Sequence, residues 1–358
     1  MSYQKSDGMN YAPQGKPNPV CQPGEFIFAA VALDHGHIHG MAGALNEAGG
    51  QLKWIYDADT SRAEKFQENH PLAKVARSLA EVLDDSAVQM VAAAAVPSGR
   101  CALGLQVLDA GKDYFTDKSP FTTLEQLASA KAAVTRTGRR YMVYFSERLH
   151  VECAVFAGDL VHGGAIGKVV NVLGLGPHRL SAGSRPEWFF KKAKYGGILT
   201  DIGSHQFEQF LYYSGSTDAT VEQARVANVC HPEYPELEDF GEATLLGNSG
   251  ASNNIRVDWL TPDGLSTWGD GRTVILGTKG FIELRKYVNL ATQKTGDHLF
   301  LANDDGEQHI ELAGKVGFPF FGQLISDCLN RTEKAMTQEH AFKAAELCLL
   351  AQAKAEKN

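Results

Sequence analysis

Between Phe26 and Phe145, short apolar runs alternate with segments of helical character, and this rhythm leaves the chain few folds to choose from. The runs are Phe26 to Leu33, Leu52 to Tyr56, Val88 to Val96, Asp113 to Thr116 and Tyr141 to Phe145. Helix-like stretches separate them: Met41 to Ala48, Ser61 to Glu68, Arg100 to Ala110 and Thr122 to Thr137. Ser61 is placed to cap the second of these. In the last, Thr122 and Glu125 have capping-box spacing, and Gly138 sits where a left-handed terminating glycine belongs. The runs are apolar at successive residues instead of at alternate ones. A strand of that kind is covered on both faces. Parallel strands with helical crossovers follow, and the closure they predict is an α/β, doubly wound parallel sheet.

After Phe145 the rhythm changes. Val169 to Leu175, Val221 to Cys230, Gly241 to Leu246, Asn254 to Leu260, Thr273 to Gly277 and Phe281 to Leu284 read as strands with few helices between the later ones. Turn signals at Asn248-Ser249-Gly250 and Pro262-Asp263-Gly264 punctuate them. The expectation is a second, α+β domain with an open, mostly antiparallel sheet, closed by an Ala/Leu-rich helix at Gln338 to Lys354. A length of 358 residues suits two domains. The division expected is 1–24 as a mobile arm rich in proline and glycine, 25–148 as the first domain and 149–358 as the second.

Composition narrows the function. Lys plus Arg number 34 against 42 Asp plus Glu, a net charge of −8, which argues against a nucleic-acid partner. No apolar run reaches the roughly 20 residues of a membrane helix, and residues 1–26 lack the apolar stretch of a secretory signal. The six cysteines are scattered without a C-x-x-C pair, so a reducing, cytoplasmic setting is expected.

The turn after the first strand reads Leu33-Asp34-His35-Gly36-His37-Ile38-His39-Gly40. A dinucleotide fold places G-x-G-x-x-G here so that backbone can approach a pyrophosphate at a helix N-terminus. Gly36 holds the middle position, while Asp34 and His39 replace the outer glycines. Asp57 ends the second strand 21 residues after Gly36. A carboxylate there accepts hydrogen bonds from ribose hydroxyls and repels a 2′-phosphate, favouring NAD over NADP. Asp34, Gly36, His37, Ile38 and Asp57 are therefore candidate cofactor-binding residues; the plainer reading of Asp57 is a turn cap before Ser61. His35, His37 and His39 invite a metal reading, but a turn entering a helix does not stay extended and no carboxylates accompany them at clear ligand spacing. No metal is expected.

Lys118 follows the fourth strand, at the edge where open α/β sheets bind ligands. Further on, Gly196-Gly197-Ile198-Leu199-Thr200-Asp201-Ile202-Gly203-Ser204-His205 is followed by Glu208 and Tyr212. On a helix Asp201 and His205 share a face with Glu208 and Tyr212, while Phe207, Phe210 and Leu211 point away into a core. An aspartate beside a histidine can fix the tautomer of the imidazole and stabilise its charged form. A solvated helix face with an incidental Asp–His pair is the plain alternative.

Together these residues resemble the Gfo/Idh/MocA oxidoreductase family, over nearly the whole chain from Phe26. Asp117-Lys118 resembles its acidic-Lys-Pro motif, although Ser119 separates Lys118 from Pro120. Gly196 to His205 resembles its G-G-x-L-x-D-x-G-x-H segment, and Pro97-Ser98 its cofactor-proximal stretch after the third strand. The resemblance implies a Rossmann domain, a nicotinamide cofactor and the catalytic set Lys118, Asp201 and His205, with Lys118 also near the cofactor. It implies hydride transfer to or from a carbinol carbon of a sugar, polyol or inositol-like substrate. His178, Arg179, Arg185, Trp188 and Tyr195 are candidate substrate contacts, as are Trp259 and Trp268 through Arg272, with core packing the plain reading of each tryptophan. An NAD-dependent glycoside hydrolase and a non-catalytic dinucleotide sensor are the rival functions. Self-association as a dimer or tetramer would cover the open sheet.

Overall fold

The structure, a computed structural model, describes residues 8–357. The chain forms two compact units: residues 9–144 with 318–342, and residues 145–317 with 343–357 and residue 8.

The first unit alternates strand and helix. Its elements are β1 (Ile27–Val31), α1 (His37–Glu47), β2 (Gln51–Tyr56), α2 (Thr60–Glu68), β3 (Lys74–Val75), α3 (Leu79–Asp84), β4 (Met90–Ala93), α4 (Pro97–Asp109), β5 (Asp113–Asp117), α5 (Leu124–Thr137) and β6 (Tyr141–Tyr144). The strands pair in parallel in the order β3-β2-β1-β4-β5-β6, the doubly wound arrangement expected. Every residue of β4, β5 and β6 is buried, which is why β4 and β6 are apolar without alternation, while β5 begins and ends on a buried aspartate. The order reverses between β1 and β4, and that switch point opens a crevice beyond the strands' carboxyl ends.

Local capping corrects two details. Asp59, not Ser61, caps α2, its carboxylate accepting the Ser61 amide at 3.0 Å. Thr123, not Thr122, caps α5 by accepting the Gln126 amide at 3.2 Å, while the Gln126 side chain accepts the Thr122 amide at 2.8 Å. The capping box is thus displaced by one residue. Gly138 does terminate α5, with φ of +63°. The short β3 and α3 were not visible as periodic runs. The described part of the expected mobile arm is anchored: Asn18 and Val20 donate to the carbonyls of Glu47 and Ala48, each at 2.9 Å. These carbonyls end α1 and need donors, and the arm supplies them.

The second unit comprises α6 (Ser146–Leu149), α7 (Glu152–His162), β7 (Val169–Pro177), α8 (Lys192–Tyr195), α9 (Ile198–Asp201), α10 (Gly203–Ser214), β8 (Ala219–Ala227), β9 (Phe240–Gly247), β10 (Ser252–Asp258), β11 (Arg272–Gly277), β12 (Gly280–Arg285), β13 (His298–Asn303) and β14 (Gly306–Glu311). Its sheet runs β14-β13-β12-β11-β7-β10-β9-β8, and only β7 and β10 pair in parallel. β13 and β14 extend it beyond the strands legible in sequence. Burial alternates along β9, β11 and β12, so one face packs on helices and the other stays open. Two helices follow, α11 (Pro319–Asn330) and α12 (Gln338–Ala355).

Candidate active site

In the first unit a pocket of about 330 Å³ lies beyond the carboxyl ends of β1 and β2. Ala32, Asp34, Tyr56, Asp57, Asp59 and Arg62 contribute to its walls. Asp57 is 7 % exposed and fixes the loop around it, accepting the Leu33 amide at 2.7 Å and the Asp59 amide at 2.8 Å. Arg62, which sequence reasoning passed over, sends its Nη1 to Asp34 at 2.7 Å and to Asp57 at 3.2 Å. Two carboxylates therefore meet one guanidinium, and the wall of the pocket keeps a net negative charge. Asp34 does not take the place of a glycine in the turn; its side chain leaves the loop to hold Arg62.

Gly36 does need to be glycine. A Cβ there would lie 2.5 Å from the Met9 carbonyl and 2.6 Å from the Asn10 side-chain oxygen. The loop is thus open to close approach by oxygen atoms, the property a dinucleotide uses, and here the chain's own residues 9 and 10 make that approach. The pocket beside Asp57 fits the adenosine ribose of a dinucleotide, while residues 9 and 10 occupy the approach to Gly36 that its pyrophosphate would use. Ile38 is a core residue, 1 % exposed. Pro97 opens α4, and the Ser98 carbonyl accepts the Gln126 side chain at 3.2 Å.

The histidines of the loop separate. His39 packs against Phe66 on the outside of α1. His35 and His37 turn inward to Asp117, their Nδ1 atoms 3.3 and 2.8 Å from its two oxygens. Arg100, 1 % exposed, pairs with the same carboxylate at 3.0 Å. Burial would push the Asp117 carboxyl up, but His37, Arg100 and His35 together pull it well below its ordinary range. Burial depresses the His35 imidazole well below its usual range, with His37, Lys118 and Arg100 acting the same way against the pull of Asp117. His35, His37 and Asp117 could geometrically hold an ion. The guanidinium of Arg100 already occupies the carboxylate, which disfavours a second cation there. Asp117 also accepts the Lys118 amide at 2.8 Å, while the Lys118 and Ser119 carbonyls accept from Arg100. Lys118 is 5 % exposed, at the carboxyl end of β5, and the Lys118–Ser119 peptide is cis.

In the second unit, the Gly-Gly segment is built for close packing. Gly196 and Gly197 have φ of +90° and +102°, and a Cβ on Gly197 would stand 2.3 Å from the Gln352 amide carbon on α12. That same amide oxygen accepts the Leu199 N–H at 3.1 Å, locking the start of α9. α9 ends at Asp201 and α10 begins at Gly203, so Asp201 and His205 flank a joint in a nearly continuous helix. The expected face of Asp201, His205, Glu208 and Tyr212 is no solvated stripe. Asp201 is 8 % exposed, His205 2 % and Glu208 0 %. Phe207, Phe210 and Leu211 are buried as well, because α10 lies between the sheet and the helices α6 and α7. Glu208 is consumed structurally: both its oxygens accept from Arg148 Nε, at 2.7 and 2.9 Å, and the guanidinium stacks on Tyr212 at 3.8 Å.

Beneath His205 runs a buried network that sequence reasoning missed. Lys286, fully enclosed, donates to Glu147 and to Gln209 Oε1, each at 2.8 Å. Gln209 Nε2 donates to the His205 carbonyl at 2.9 Å, and Gln206 Nε2 to Glu147 at 2.8 Å. Burial raises the Glu147 carboxyl, but Lys286, His205 and His178 outweigh it and bring it down to about 2. Of the expected substrate contacts, His178 packs its ring between Trp268 and Trp259, with centroids at 4.4 and 5.3 Å. Arg179 spans to the Pro262 and Leu265 carbonyls, and Arg185 to the Leu180 carbonyl while lying over Phe189 and Trp259. Tyr195 is enclosed, its hydroxyl donating to the Glu236 carbonyl at 3.1 Å and accepting the Glu238 amide at 2.9 Å. Trp188 is half-buried beside Phe189. Arg272 pairs with Asp270 at the start of β11.

Comparison with known proteins bears on the family and the fold. Residues 34–145 match a family model described as an oxidoreductase family with an NAD-binding Rossmann fold, and residues 156–283 match the GFO/IDH/MocA C-terminal domain. A crystal structure from Erwinia carotovora atroseptica SCRI1043, described as an oxidoreductase, is 49% identical, with a TM-score of 0.89 over 92% of this chain and 98% of that one. The scyllo-inositol 2-dehydrogenase (NAD(+)) of Bacillus subtilis strain 168 is 25% identical over 69% of this chain and 70% of its own length. The uncharacterized oxidoreductase YrbE of the same organism is 25% identical over 64% of this chain, and the match spans 65% of its own length. Among the described residues no helix is long and apolar enough to cross a membrane.

Proposed function

Since the chain belongs to the Gfo/Idh/MocA oxidoreductase family, we propose that it is an NAD-dependent dehydrogenase acting on a carbinol carbon of a sugar, polyol or inositol-like substrate. In this reading the first unit, expected at 25–148 and joined by residues 318–342, holds the dinucleotide, and the rest of 149–358 holds the substrate. The observation that carries it is the enclosed Gly196–His205 segment, which brings Asp201 and His205 to one joint of a buried helix. A buried aspartate and histidine set on a braced backbone are expensive to keep unless they handle a proton. The named activity of the inositol dehydrogenase relative supports the substrate class.

The bound nicotinamide supplies or accepts the hydride. His205 takes the hydroxyl proton on an imidazole nitrogen, and Asp201 stabilises the charged ring. Lys118 donates from Nζ to the substrate oxygen and steadies developing negative charge. Its loop is fixed by Asp117 and Arg100, so the ammonium reaches its position with little ordering cost. Asp57 accepts from the adenosine ribose, and the negative pocket wall disfavours a 2′-phosphate, hence NAD over NADP. Leu246, Leu276 and Phe281 are exposed on strands of the eight-stranded sheet, which supports self-association as a dimer or tetramer.

The test is a panel of inositols, aldoses and sugar acids assayed for NADH, followed by His205→Ala and Lys118→Ala on the best substrate. Each variant should lose about 10²–10⁴ in kcat with NAD affinity nearly unchanged. Equal losses in turnover and NAD binding would sink the assigned roles.

A further inference from the structure

The geometry points to a divalent transition-metal site on the second unit, where β13 meets β14, formed by His298 Nδ1, His309 Nε2 and a Glu311 carboxylate oxygen. One ligand atom from each of the three residues lies within 4.8 Å of the others. Register explains why they meet. His298 pairs with Glu311 and Phe300 with His309, so all four side chains emerge on one face of a two-strand ladder. The inward alternates, Leu299 and Leu301, are in the core.

The two ring nitrogens stand 3.0 Å apart. Two nitrogens on one zinc at the usual bond length of about 2.0–2.1 Å are separated by about 2.9 Å at a right angle and about 3.3 Å at a tetrahedral one. The separation already suits a shared ion; as a hydrogen bond the contact places the His309 Nε2 proton between the rings, and an ion would displace that proton as the rings turn to face it.

Each ligand is also oriented from outside. His298 Nε2 lies 3.1 Å from the Thr295 carbonyl, which can only accept, so that nitrogen carries the proton and Nδ1 presents its lone pair. The His309 ring stacks on Phe300 at 4.3 Å and an interplanar angle of 4°. Gln293 donates to Glu311 Oε1 at 2.7 Å and is itself held by Asn289. Outer contacts of this kind are what fix metal ligands. The neighbouring cation, Arg285, is engaged by Glu283 and Asn289. Lys315 also faces Glu311.

Two imidazoles and one carboxylate select zinc, cobalt or nickel over magnesium or calcium, which prefer oxygen alone. Three protein ligands leave at least one position to water. Nothing in this site depends on the proposed dehydrogenase activity.

The experiment strips the full-length protein with EDTA and titrates it with Zn²⁺ by calorimetry and with Co²⁺ by visible absorption. One equivalent per chain is expected. His309→Ala and Glu311→Gln, both on exposed residues, should each weaken binding by more than tenfold, and Gln293→Ala by about tenfold. As a readout without substitutions, Co²⁺ should broaden the His298 and His309 ring signals in NMR spectra first. Absence of saturable binding overturns the site. So does saturable binding that survives both exposed substitutions, or broadening confined to other histidines.

Discussion

Each unit buries one carboxylate beside a proposed catalytic residue, and the two are supported in different ways. Asp117 adjoins Lys118 and is surrounded by His35, His37 and Arg100. Glu147 lies under His205, pairs with one ammonium, that of Lys286, and accepts from Gln206, with His205 and His178 adding to the pull. Arg100 has a second set of partners, the carbonyls of Ala95 and Ser119 at 2.7 and 3.1 Å and that of Lys118. Among the described residues, Lys286 has Gln209 as its acceptor besides Glu147. The same chemistry, a buried ion pair, is therefore redundant in one unit and fragile in the other. What decides the fragility is how many acceptors the cation retains when the carboxylate goes.

Matched substitutions should expose that difference. Glu147→Gln removes the counter-charge of a buried ammonium and leaves it on neutral amide oxygens, and a loss of about 3–5 kcal/mol is expected in urea unfolding. Asp117→Asn leaves Arg100 on its carbonyls, so a loss of about 1–2 kcal/mol is expected. Adding Lys286→Met to Glu147→Gln should restore more than half of the deficit. If the two single variants lose the same amount, or Asp117→Asn loses more, the comparison fails.

The two carboxylates were also unequally legible. Asp117 stands in a motif, directly before a lysine at the end of an apolar strand, where the Rossmann rhythm makes position meaningful. Glu147 sits in a short helix that no periodicity announces, and Lys286 follows a strand among other polar residues; they meet across 139 positions of sequence. Pairing of that range is set by tertiary packing, which a linear pattern does not carry. The same reason hid Arg62, whose neighbours Asp34 and Asp57 were each noticed separately. It also leaves the burial of the Asp201–His205 face unmarked in the sequence. Helical spacing shows which residues share a face, but not that α6 and α7 cover it. The six strands of the parallel sheet were easier, apart from β3, because burial on both faces leaves its mark residue by residue.

A half-buried carboxylate in the same unit, Asp297, sharpens the contrast through pH. Burial, with help from Glu152, raises Asp297 to about 6. A folded-state pKa above the ordinary value means that the folded protein binds the proton more tightly. Its contribution is fully present below about pH 4 and is lost as pH rises through about 6. The cost at neutral pH is at most about 3 kcal/mol. Glu147, lowered to about 2, runs the opposite way: its contribution is present above its ordinary value of 4.5 and is lost as pH falls through about 2. Asp297→Asn keeps the acceptor for the Cys153 amide at 2.9 Å and suits a φ of +60°. The variant should be more stable than the parent at pH 7 and equal to it near pH 4, measured by urea unfolding across that range. A constant difference at all pH values would remove Asp297 as the cause.

The smallest expected effect concerns coenzyme choice. In the first unit Arg62 faces Asp34 and Asp57 together, so its charge is already matched at the pocket wall. An added 2′-phosphate would meet a surplus carboxylate, and NADP should bind at least tenfold more weakly than NAD, about 1.4 kcal/mol. Asp57→Asn keeps an acceptor for the Leu33 amide and removes that surplus charge. Fluorescence titration with both reduced coenzymes should then show the preference narrowing about tenfold, mostly through tighter NADP binding. If the unaltered protein prefers NADP, Arg62 is reading the ribose phosphate. The two carboxylates would then serve to position that guanidinium instead of repelling the phosphate.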